Sequence, residues 1–245
     1  MTRTGVFITG TDTGVGKTVI AAALTGVLSQ AGVKTSYFKP VQSGGIKQHG
    51  KIISPDLAFV QAVVGLEEDD LLLNPVCLEP PLAPSVAAEV AGMAIDLNHI
   101  LAAYRRLGDS YEFLVVEGAG GLYVPLIGTE FLVADLIKLL GLPVVIVARA
   151  GLGTINHTVL TVKAAESFDM QVLGVIINFS SQPENTLAEE TNPGIIERLT
   201  GRPILGVVPY VHGLDEPNAP PPHLLETVGK SIDIERILAR GGGGS

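Results

Sequence analysis

Tryptophan is absent from this 245-residue chain, cysteine occurs once, and 16 Lys and Arg face 25 Asp and Glu. The last two shortages each remove a class of protein. The single cysteine, Cys77, rules out an internal disulfide and a thiolate zinc cluster, and it suits a reducing compartment. A net charge of −9 argues against a nucleic-acid backbone or an anionic membrane as main partner. No apolar run approaches the ~20 residues of a membrane span. The opening MTRTGVFITG has neither the long apolar stretch nor the small-residue cleavage site of a secretory leader, so a cytoplasmic protein is expected. None of the five histidines pairs with another at HExxH spacing, which leaves no zinc site to expect.

Apolar residues are plentiful: 47% of the chain, with a mean hydropathy of +0.41. That is enough to bury a sizeable core, and the length suits one large domain over residues 1–240. The closing GGGGS, 241–245, reads as a flexible linker. Short runs rich in β-branched residues recur at Gly5–Thr9, Lys34–Phe38, Glu112–Glu117, Pro143–Ala148, Val172–Asn178 and Pro203–Pro209. Several are apolar almost throughout, as strands covered on both faces are. Leu97, Ile100, Leu101, Tyr104 and Leu107 recur at helical spacing, as do Ile20, Leu24, Val27 and Leu28. FLVADLIKLLG reads as one helix stopped by Gly141 and Pro143. The stretch from Ile46 to Pro84 is proline-punctuated and less regular, and is expected to contribute to a substrate site. The alternation predicts an α/β fold of the P-loop NTPase type, a mainly parallel sheet flanked by helices on both faces. Ligands belong at the carboxyl ends of its strands.

One loop carries the chemistry. In FITGTDTGVGKTVI a strand gives way to glycines, and Gly16-Lys17-Thr18 opens a helix. Backbone N–H groups at Thr13, Gly14, Val15 and Gly16 are placed to turn inward around phosphates. Lys17 reaches the outer phosphates and the Thr18 hydroxyl suits magnesium. Gly10 stands one residue too early for the usual spacing, and Thr11 holds the expected glycine position. The loop predicts a nucleoside triphosphate site. Magnesium needs a carboxylate as well, and Glu117, ending an apolar run before GAGG, is the leading candidate. Asp56 in SPDLAF is expected either to cap a helix or to serve the site. Lys39, ending another strand in YFKPVQSGG, is a second phosphate clamp or a solvated surface lysine. The acidic run Glu67–Asp70 reads as a solvated turn.

Four segments, GTDTGVGKT, FKPVQSG, VEGAGG and GLGTINHT, stand in the order and approximate spacing of dethiobiotin synthetases, and the chain closely resembles that family. The resemblance implies ATP-dependent closure of a cyclic urea from 7,8-diaminononanoate and carbon dioxide, through a carbamate and a carbamic-phosphoric anhydride. It implies a homodimer. Residue by residue, it implies Lys17 and Lys39 as catalytic lysines, and Thr18, Asp56 and Glu117 as magnesium ligands. It implies Ser43 as a substrate contact, and Asn178 with the backbone at Val208 and Pro209 as the adenine pocket; Thr13, on the loop where the diamine would approach, is expected to add a substrate hydrogen bond. Gly153, Thr154 and Asn156 fall where the family holds the substrate's far carboxylate at a helix N-terminus of the other subunit.

The alternative is a nucleotide-driven switch of the partitioning or septum-positioning class, which shares the loop. Those proteins carry a lysine where this chain has Asp12. A carboxylate aimed at phosphates repels them. A corrin-type amidotransferase is a further rival, but it needs a glutaminase domain that this length does not accommodate.

Overall fold

Alternating apolar runs and amphipathic segments fold into strands and helices in the order the pattern predicts. Strand β1 (Gly5–Gly10) leads through the glycine loop into helix α1 (Lys17–Gln30), followed by β2 (Thr35–Phe38). The computed structural model of the chain describes residues 4–184, 186–214 and 220–241. The proline-punctuated stretch holds β3 (Val41–Ser43), the hairpin β4 (Ile46–Gln48) and β5 (Lys51–Ile53), α2 (Pro55–Val64), α3 (Asp70–Leu73) and β6 (Val76–Leu78). It is thus more regular than its prolines suggest, because Pro55 sits in the first turn of a helix, where its missing N–H costs nothing. Next come α4 (Pro84–Ala91), α5 (Leu97–Ser110), β7 (Phe113–Glu117), β8 (Pro125–Ile127), β9 (Phe131–Leu132) and α6 (Val133–Leu140). The chain continues with β10 (Val144–Arg149), α7 (Thr154–Ser167), β11 (Val172–Asn178), α8 (Leu187–Thr200) and β12 (Ile204–Val208). Helices α9 (Leu224–Ser231) and α10 (Ile234–Gly241) close the described chain.

Six strands form one parallel sheet in the order β12-β11-β10-β1-β7-β2. All residues of β1, β2, β7 and β11 are buried, as both faces of the sheet are covered by helices. Helix α1 packs on β1, β2, β7 and on α2 and α9, while α7 packs on β10 and α8. Strand ends follow proline chemistry: Pro143 and Pro203 fall just before β10 and β12, since neither has an N–H to donate to the ladder.

Three expectations are corrected. Phe131 and Leu132 pair with Ile127 and Pro125 rather than starting a helix, and α6 begins at Val133, where the Asp135 carboxylate accepts from Leu132 N at 2.7 Å. Ser54, not Asp56, caps α2, its hydroxyl accepting from Leu57 N at 3.1 Å. The acidic run is not merely a turn, because the Asp69 side chain caps α3 and the Glu68 carboxylate accepts from the Tyr111 hydroxyl at 2.8 Å. Of the expected linker, Gly241 is the last residue of α10, and 242–245 lie outside the described residues. No helix among the described residues is long and apolar enough to cross a membrane.

Candidate active site

The parallel sheet aims its carboxyl ends at one edge, and the chemistry collects there. Beyond β1, the loop from Thr11 to Gly16 runs directly into α1, whose first turn carries no acidic side chain and no side-chain cap. The helix therefore presents free N–H groups and the positive end of its dipole at the loop, an arrangement suited to anions. Lys17, the first residue of α1, is only 7% exposed, and its Nζ donates to the Asp12 carbonyl at 3.0 Å. Burial lowers its pKa below the ordinary lysine value, with the Glu117 carboxylate acting in the opposite direction.

Lys39 follows β2 and is 2% exposed. Its ammonium lies 2.6 Å from Asp56 Oδ2 and 2.8 Å from Glu117 Oε1, and also donates to the Gly118 carbonyl at 3.3 Å. Burial alone would depress Lys39, but the two carboxylates outweigh it and raise its pKa, so it remains an ammonium. Glu117 Oε1 accepts from the Thr18 hydroxyl at 2.9 Å as well. Thr18 is thus linked to Glu117, and Glu117 through the Lys39 ammonium to Asp56, which sets three hard oxygen donors on one wall next to the phosphate loop. No cluster of three or more His, Cys, Asp and Glu exists among the described residues. A hydroxyl with two carboxylates nevertheless fits magnesium, which prefers to share its shell with phosphates and water.

These residues face a cavity of about 840 Å³. Of the expected residues, Thr13, Gly14, Gly16, Lys17, Thr18, Lys39, Ser43, Asp56, Glu117 and Asn178 stand on its wall. Val15 does not. Its side chain is buried, and its carbonyl accepts from Asn178 Nδ2 at 2.9 Å, tying the tip of β11 to the loop. Val208 pairs with Asn178 at the end of β12, is fully buried and stays off the wall, as does exposed Pro209. Gly153, Thr154 and Asn156 also lie off it, at the start of α7, where Thr154 is buried against Thr158 and Asn156 is exposed. Cys77 in β6 is half-buried, and burial pushes its thiol up to about 11, which leaves it unreactive.

Two partners escaped the motif reading. Asn74 holds the Lys39 carbonyl from Nδ2 at 2.7 Å, fixing the backbone that carries the ammonium. Tyr37 is fully buried and donates from its hydroxyl to Glu117 Oε2 at 2.7 Å, so both carboxylate oxygens are engaged and Oε1 is the one left toward Thr18 and Lys39. Burial, then the neighbouring carboxylate, raises the Tyr37 pKa well above its usual value and keeps the hydroxyl a donor. The signal was present: residues two apart share a strand face, so Tyr37 points the way Lys39 does. Tyr37→Phe leaves a dry carboxylate oxygen without its donor and should lower unfolding free energy in urea by about 1–3 kcal/mol. An unchanged urea midpoint would mean that another group takes up Oε2.

A family profile described as an AAA domain matches residues 4–218. The chain is 38% identical over 243 residues to the ATP-dependent dethiobiotin synthetase BioD of Thermodesulfovibrio yellowstonii, covering 97% of this chain and 99% of that one. It is 44% identical over 206 residues to the enzyme of the same name from Bacillus subtilis strain 168, covering 84% and 87%. Among solved structures, the cell division ATPase MinD of Pyrococcus furiosus superposes with a TM-score of 0.54 at 17% identity, over 97% of this chain and 100% of that one. A ParA family ATPase from Chlorobium tepidum gives 0.53 at 16%, over 97% and 93%. At such identities the latter two establish the shared P-loop fold alone.

Proposed function

Because the chain belongs to the ATP-dependent dethiobiotin synthetase family, we propose that its pocket closes the ureido ring of dethiobiotin from 7,8-diaminononanoate, carbon dioxide and ATP. The product is released with ADP and phosphate. The observation carrying this reading is the buried Lys39 ammonium between Asp56 and Glu117, one hydrogen bond from Thr18 at the mouth of the phosphate loop.

A diamine and carbon dioxide do not form a urea unaided, since ring closure must expel an oxygen as a poor leaving group. Carbamate formation on one amine, phosphorylation of that carbamate and attack by the second amine solve the problem, the oxygen departing on phosphate. Such phosphoryl transfer depends on charge stabilisation and alignment. Lys17 is placed to hold the outer phosphates, and N–H groups from Thr13 to Gly16 add donors without reorganisation. Lys39, kept as an ammonium by its two carboxylates, is placed to neutralise the carbamate and the transferred phosphoryl group. Thr18, Asp56 and Glu117 would hold magnesium, which supplies charge neutralisation between phosphate oxygens. Ser43 and Thr13, both on the wall, are placed to orient the diamine, so that ring closure becomes an intramolecular step. Asn178, on the wall with its Nδ2 on the Val15 carbonyl, is assigned the reading of the adenine edge.

The distant substrate carboxylate is assigned to Gly153, Thr154 and Asn156 of a second copy. Two features support that. The start of α7 stands off this pocket, and nearby apolar side chains are unusually open, with Leu152 88%, Tyr123 63% and Leu160 60% exposed. The reading of the site is tested by ADP release. It should require the diamine and bicarbonate together, and steady hydrolysis indifferent to both would return the chain to the switch class.

A further inference from the structure

Asp12 is anomalous for a loop that binds polyanions. Its carboxylate lies five residues before Lys17, and the stretches that follow it, Thr13 to Gly14 and Gly16 to Thr18, stand on the pocket wall. Asp12 itself does not. Two bonds account for its orientation. Asp12 Oδ1 accepts from Thr13 N at 2.7 Å, and Asp12 Oδ2 is paired with the Arg149 guanidinium at 2.9 Å. Arg149 is the last residue of β10, the strand that pairs with β1 on the side away from Glu117, and it too stays off the wall. The Asp12 carbonyl meanwhile accepts from Lys17 Nζ at 3.0 Å, so one residue connects the strand edge to the phosphate lysine.

We propose that Arg149 is a positioning residue for nucleotide binding: it turns the Asp12 carboxylate away from the phosphate pocket and cancels its charge. The pair is half exposed, so its worth to folding is small. Its effect falls on the ligand instead. A triphosphate approaching the loop meets a neutral pair with Arg149 present and a bare anion without it. A lone carboxylate on the loop that holds the phosphates, in a partly screened site, weakens binding on the order of fivefold. The sign of this effect is set by charge alone, which separates it from general disturbance of the loop.

The inference rests on the loop being the triphosphate site, and one titration series separates the two. Calorimetry with magnesium and a non-hydrolysable ATP analogue should show Arg149→Ala binding on the order of fivefold more weakly, with the deficit shrinking as added salt screens the repulsion. Asp12→Asn placed on top of Arg149→Ala should restore affinity to within about twofold of wild type, because the charge that needed cancelling is gone. At saturating nucleotide, turnover and the KM for the diamine should stay near wild type. Arg149→Ala binding that matches wild type overturns the proposal. So does a deficit that persists in the double variant, or one that appears in the KM for the diamine instead. Lys17→Gln in the same series checks the foundation: if it binds the analogue as wild type does, the nucleotide reading of the loop fails, whatever Arg149 does.

Discussion

Lys39→Ala is expected to lower turnover by on the order of 10²–10³ while the affinity for magnesium and ATP stays within about threefold. The asymmetry follows from position. Lys17 and the loop N–H groups carry nucleotide binding from α1, whereas Lys39 comes off β2 on the opposite side of Glu117, facing the region expected to receive the carbamate. Its charge matters most when negative charge passes between the two substrates. Single-turnover assays and calorimetry on the same variant separate the effects. Turnover within about threefold of wild type would remove Lys39 from the chemistry. A second readout follows from the ion pairs. Without the ammonium, Asp56 and Glu117 face one another uncompensated, so the variant should lose about 3–5 kcal/mol of stability in EDTA and recover part of it on adding magnesium. The wild-type contribution has a defined pH range. Lys39 is raised in the folded state, so its contribution is fully present at neutral pH and is lost as pH climbs through the raised value.

Gly16→Ala should abolish measurable nucleotide binding, whereas Gly14→Ala, two residues away, should leave most of it. Both glycines have positive φ, 92° at Gly16 and 74° at Gly14, so both substitutions carry a backbone cost of about 1–2 kcal/mol. They differ in what a β-carbon would meet. At Gly14 nothing beyond its two chain neighbours lies within 4 Å of the added carbon. At Gly16 the new carbon falls on the Asn178 amide nitrogen, and Asn178 is 4% exposed and bonded to Val15. The amide cannot retreat without breaking the link between β11 and the loop, so the Thr13–Gly16 N–H groups lose their common direction. A binding deficit of at least about 100-fold is expected, with about 2–4 kcal/mol lost in urea unfolding. If the Gly16 variant bound nucleotide as well as the Gly14 variant, the Asn178 contact would not shape the loop.

Much of this was legible along the chain because strands and helices announce themselves locally. The six runs of β-branched residues became the six strands of the main sheet, their ends off by at most one residue, at Pro143 and Pro203 because a proline withholds its N–H. The strand, glycines and Gly-Lys-Thr fixed the anion loop, since that geometry lies within one short segment. Lys39 and Glu117 stood out as charges ending apolar runs. Asp56 was ambiguous because capping and ligation ask for the same carboxylate, and the neighbouring Ser54 took the cap. Tyr37 is marked only by the strand face it shares with Lys39, and Arg149 by nothing local, an arginine in a strand being unremarkable until its neighbours are known. Those neighbours depend on strand order. Insertion of β7 between β1 and β2 sets Glu117 between Thr18 and Lys39 and within reach of Tyr37, joining residues 78 to 99 positions apart. Placement of β10 on the other flank of β1 brings Arg149 to Asp12 across 137. Local periodicity says only that a segment will be a strand, and which strand lies beside it is decided by how helices of given length and apolar area cover the two faces of the sheet.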